Sequence, residues 1–85
     1  MTANPLNAIA LEILDAATEV YEKARREKTS EAGVEANQKL KGLQERAAKE
    51  LKDGKAGGRS TKKLEEVADR VKAMNAEIVK ACLGI

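Results

Sequence analysis

Between residues 64 and 85, apolar side chains recur at alternating three- and four-residue steps: Leu64, Val67, Val71, Met74, Ile78, Ala81 and Ile85. Steps of three and four make a heptad seam, the pattern of a helix built to lie against other helices. The segment predicts a helix over 61–83, capped by Ser60 or Thr61 and ended by Gly84. Asn75 sits at the edge of this seam, between Val71 and Ile78. Two readings stand for it: a polar residue selecting register or partner number, or an amide at the solvent margin of the core.

A second apolar arc opens the chain. Asn4 is an N-cap residue followed by Pro5, whose missing N–H costs nothing in the first turn. On a helical projection Leu6, Ile9, Ala10, Ile13, Leu14, Ala16, Ala17, Val20, Tyr21 and Ala24 fall within an arc of roughly 160°, at about 100° per residue. Glu12, Asp15, Glu19 and Glu22 form an acidic ridge on the other side, and Lys23, Arg25, Arg26 and Lys28 close the segment. Acid early and base late complement the helix dipole. A helix over 5–28 follows, with an arc wide enough to meet two other helices.

Thr29 or Ser30 then caps a third element over 31–52, whose stripe of Ala36, Leu40, Leu43, Ala47 and Leu51 is narrow. Gly33 and Gly42 each weaken it by up to about 1 kcal/mol relative to Ala. Gly42 projects off the stripe and reads as a tolerated surface glycine. Residues 53–59, Asp-Gly-Lys-Ala-Gly-Gly-Arg, read as a glycine-rich linker between antiparallel helices. The expectation is a single all-α domain over 1–85: a three-helix up-down-up bundle, or a helical hairpin completed by self-association.

Composition sharpens this picture. The 85 residues are 42% apolar, but Tyr21 is the one aromatic residue and Trp and Phe are absent. The core must therefore come from Leu, Ile, Val, Met and Ala, near the lower size at which one core suffices. That scarcity raises the prospect of a homo-oligomer built on the seam of Leu64, Val67, Val71, Met74, Asn75 and Ile78. Sixteen basic against fourteen acidic residues give a net charge of +2. This near-balance argues against a dedicated non-specific nucleic-acid binder. Cys82 is the lone cysteine, so an intramolecular disulfide is excluded. With no signal-like segment and no long apolar run, the expected location is cytoplasmic.

Candidate chemistry is sparse. The sequence has no histidine, which removes the commonest general base and the commonest metal ligand. Cys82 has no imidazole to activate it and reads as a small core residue. Glu12, Asp15 and Glu19, like Glu65, Glu66 and Asp69, project to polar faces, where carboxylates are solvated rather than tuned for acid–base work. Neither an enzyme nor a cofactor is expected. Lys52, Lys55, Arg59, Lys62 and Lys63 surround the glycines and offer phosphate contacts. They lack the spacing of a phosphate loop, and no aromatic residue stands nearby to stack on bases.

Residues 40–55 (LKGLQERAAKELKDGK) and 64–71 (LEEVADRV) resemble the middle of bacteriocin immunity proteins, small helical bundles that protect a producer by binding a protein partner. The likeness covers under half of the chain and rests on a helix–glycine–helix texture that small phage-encoded inhibitors share. It implies a stand-alone protein-binding bundle. The resulting expectation is an inhibitor, immunity factor or assembly adaptor, whose contact face comes from exposed parts of the first two helices. Leu11 projects away from the main apolar arc and is the candidate anchor, beside Glu12, Asp15, Glu19 and Glu22. Weak nucleic-acid binding through the basic linker and a purely structural homo-oligomer are the alternatives.

Overall fold

The computed structural model describes residues 4–84. Its helices are α1 (Pro5–Glu27), α2 (Ser30–Ala56) and α3 (Lys62–Ile78), the last continuing into a π-helical turn, Val79–Leu83. The Ile85 position of the heptad pattern lies outside the described residues. Asn4 caps α1 as expected, its side-chain oxygen accepting from the Leu6 N–H at 3.1 Å. Thr29, rather than Ser30, caps α2, its hydroxyl accepting from the Ala32 N–H at 3.1 Å.

The pairing of helices follows from which residues meet. Asn4 donates to the Ser60 carbonyl and Tyr21 to Glu77, both across a separation of 56 residues. A constant difference means that α1 and α3 run parallel. Glu12 meets Arg46, Leu6 lies against Gly54, and Lys55 meets Glu65. Those pairs climb one helix while descending the next, so α2 is antiparallel to both neighbours. Each helix packs on the other two, which makes the chain an all-α three-helix bundle in up-down-up order. Its long axis of 45 Å matches α2, whose 27 residues span about 40 Å at 1.5 Å each.

The core is built as the composition requires. Ile13, Leu40, Leu64, Val71 and Ile78 are its largest fully buried side chains, each contributing roughly 1.5–3 kcal/mol. Ala10, Ala17 and Ala24 recur every seven residues on the inner face of α1, and Ala36 and Ala47 lie on α2, so helix backbones approach closely. Leu64, Val67, Val71 and Ile78, the bulk of the expected self-association seam, are buried inside their own chain. The hairpin that needs a second copy is therefore corrected to a closed bundle. The wide arc of α1 supplies enough apolar surface to cover both α2 and α3.

Two further expectations are corrected. The linker over 53–59 is shorter than it reads, because α2 continues past Lys52 to Ala56. Gly54 is a buried helical residue, and a Cβ there would lie 2.5 Å from Leu6 Cδ1 and 3.1 Å from Thr61 Cγ2. Glycine at 54 permits close packing against the start of α1 instead of breaking the helix. The helix stops where Gly58 adopts φ 70°. There the Arg59 N–H bonds to the Gly54 carbonyl at 3.0 Å and the Gly58 N–H to the Lys55 carbonyl at 3.1 Å, a Schellman closure. The heptad also fails at Ala81, which is exposed, while Cys82 is half-buried with Sγ 3.7 Å from the Ala24 carbonyl. The wider π-helical turn advances less around the axis per residue, so Ala81 swings out, while Cys82 keeps the core-side place expected of it.

Candidate functional site

With the seam closed, the interest moves to what the bundle leaves outside. Among the described residues Leu11 and Val34 are the exposed large aliphatic ones, at 50% and 47%. Leu11 stands on the side of α1 turned away from the core, on the face it shares with Asp15 and Glu22. Asp15, Glu19 and Glu22 are all exposed and enter no ion pair among the described residues. Glu12 leaves the ridge: its carboxylate accepts from Arg46 Nη1 at 3.2 Å and ties α1 to α2. The outer face of α1 is thus one aliphatic side chain with three unpaired carboxylates nearby.

A shallow cleft of about 300 Å³ runs between the second half of α1 and the first half of α2. Val20, Ala24, Ala32 and Ala36 floor it, and Glu19, Lys23, Glu35 and Lys39 stand on its rim. Lys39 Nζ lies 2.9 Å from Glu35 Oε1. Its hydrogen bond and charge, with a further contribution from Lys23, hold the Glu35 carboxyl below its ordinary range. The rim carries both signs, so it attracts no one class of ligand by charge. Glu12, Asp15, Glu19, Glu65, Glu66 and Asp69 are exposed, which denies them the enclosed environment that separates the roles of two carboxylates. No group of three metal-ligating side chains converges among the described residues.

The remaining candidates fall in three places. Lys52, Lys55, Arg59, Lys62 and Lys63 are exposed together at the end of the bundle where α2 gives way to α3, and Lys55 reaches Glu65 at 3.6 Å. Met74 is half-buried against the core. Asn75 is half-buried too, and its Oδ1 is shielded from solvent without a hydrogen-bond partner among the described residues. It is a polar interruption on the packed side of α3.

One cluster has no counterpart in the sequence reading. The Tyr21 hydroxyl donates to Glu77 Oε2, and Arg25 Nη1 donates to the same hydroxyl at 2.9 Å. Arg25 and Glu77 are themselves 3.7 Å apart, so the three side chains clasp α1 to α3. Tyr21 and Arg25 are one helical turn apart, but Glu77 enters only through the parallel pairing of α1 and α3, which no local pattern encodes.

No family model, no curated protein and no solved structure matches this chain. The likeness of residues 40–71 to bacteriocin immunity proteins thus has no matching relative behind it, and its central glycine, Gly54, proves to be helical. Among the described residues no helix is long and apolar enough to cross a membrane.

Proposed function

We propose that this chain is a small non-enzymatic helical protein that acts by occupying a surface on another protein, as inhibitor, immunity factor or assembly adaptor, through the outer face of α1. The observation that carries the reading is Leu11, half-exposed on a helix whose remaining large aliphatic residues are turned into the bundle. Interfaces concentrate binding energy in a few apolar anchors surrounded by polar residues. Leu11 with Asp15 and Glu22 has that composition and would suit a basic partner surface. The absence of histidine and the solvation of the carboxylates support binding over catalysis. A cytoplasmic setting accords with the lone cysteine.

The test is site-specific photocrosslinking in the producing cell, with a photoreactive residue at position 11 and, separately, at position 34. A discrete protein adduct from position 11, lost when Asp15 and Glu22 are changed to Lys, supports the reading. Adducts from position 34 alone would move the interface to α2. Adducts from neither position would remove a protein partner from consideration.

A further inference from the structure

We propose that the end of the bundle where α2 passes into α3 is a second contact surface, one that takes the phosphate backbone of a nucleic-acid duplex. The proposal does not depend on the reading of α1. Lys52, Lys55, Arg59, Lys62 and Lys63 stand within twelve residues that hold one carboxylate, Asp53, in a chain whose net charge is +2. The rest of the chain is therefore net negative, and the basic surplus is gathered at one end. The fold presents that surplus openly: all five side chains are exposed, and among the described residues only Lys55 is engaged, by Glu65 at 3.6 Å.

The local energetics make this concentration costly to the fold. Lys62 and Lys63 occupy the first turn of α3, where the helix dipole repels cations. Neither has an ion pair among the described residues to offset the repulsion. The acidic residue of that turn, Glu65, faces Lys55 at 3.6 Å, so both lysines break the local rule without a pairing of their own, a pattern expected of functional surfaces. The choice of partner follows from what stands beside the cations. No aromatic side chain is there to stack on unpaired bases, since Tyr21 is clasped to Glu77 near the other end of α1. Among the described residues no large aliphatic side chain is exposed there to enter a bilayer, since Leu11 and Val34 lie elsewhere. Closely spaced cations without stacking or apolar neighbours suit a dense, regular array of phosphates contacted without base recognition.

Four unengaged cations give a salt slope of about −3.6, so affinity should fall on the order of 100-fold between about 50 and 200 mM salt. The experiment is fluorescence anisotropy of a labelled DNA duplex titrated with the full chain across that range, with Arg59→Glu/Lys62→Glu/Lys63→Glu as the test variant. Lys41→Glu/Lys49→Glu/Lys80→Glu, three exposed lysines elsewhere, makes the same change in net charge. Circular dichroism confirms that both variants fold. The proposal predicts salt-steep duplex binding that the first variant abolishes and the second leaves within a few-fold. Equal loss in both variants would reduce the effect to net charge and overturn the site. No binding near 50 mM salt, or binding to phosphatidylserine vesicles in place of the duplex, would overturn the ligand.

Discussion

The two turns that reverse this chain do the same work by opposite means. Between α1 and α2 the connection is two residues long, and neither is glycine. Lys28 takes the left-handed conformation at φ 53°, and Thr29 immediately caps the next helix. Between α2 and α3 the chain uses Gly58 at φ 70° to close α2, while Thr61 precedes α3 without a side-chain cap. The first turn accepts backbone strain and recovers it through a cap hydrogen bond. The second has no strain and forgoes the cap, because Thr61 lies with its methyl group against Gly54, beneath Leu6. A junction can therefore be specified by bonds among neighbours or by packing against a residue far away in sequence, and only the first kind is cheap to read.

Breaking the packed junction should have the largest effect. Gly54→Val places branched atoms where even a Cβ would meet Leu6 and Thr61, and we expect a loss of about 2–3 kcal/mol, read as a lower midpoint in urea denaturation. Exchanging the left-handed residues comes next. Gly58→Ala has open space around its Cβ, so its cost of about 1–2 kcal/mol is conformational alone. Lys28→Gly relieves the matching strain in the other turn and should gain about 0.5–1 kcal/mol in the same assay. The caps separate the junctions again: Thr29→Ala should cost about 1 kcal/mol, whereas Thr61→Val, which keeps the methyl on Gly54 and removes only the idle hydroxyl, should cost less than about 0.5 kcal/mol. Equal losses for the two threonines would remove the distinction.

The smallest effect is one of pH. Lys39 and Lys23 lower the Glu35 carboxyl in the folded chain, so the unfolded state takes up this proton first on acidification. The stabilisation from Glu35 is present above the unfolded value and is lost as pH falls through the folded one. Wild type and Glu35→Gln should thus differ slightly near neutral pH and converge once acidification protonates Glu35 in both states, in parallel melting curves. A difference that grows in acid would reverse the assigned sign.

How much of this was legible depends on the range of the interaction concerned. The start of α1 announces itself through Asn4 and Pro5, and the buried faces through periodicity, because caps and amphipathic stripes are local patterns. Leu11 was recognisable as outward-facing for the same reason. Gly54 was not, since Asp-Gly-Lys-Ala-Gly-Gly reads as linker until Leu6, 48 positions earlier, arrives against it. Ala81 left its heptad position because one π-helical turn shifts the phase of everything after it, while Cys82 stayed on the core side as it read. Lys28 carries no mark of its left-handed role, and the sharing of Tyr21 between Arg25 and Glu77 exists only once α1 and α3 are aligned.

That last contact has a spectroscopic consequence. The chain has one tyrosine and no tryptophan, so its near-ultraviolet emission arises at a single phenol on the α1–α3 boundary. A phenol hydrogen-bonded to a carboxylate is a quenched emitter, and parting the two helices would release it. Tyr21 is thus a built-in optical probe of one helix pair, while the far-ultraviolet signal reports all helices together. Coincident thermal transitions in the two signals would show the bundle melting as one unit, and an earlier rise in emission would show α1 and α3 parting first.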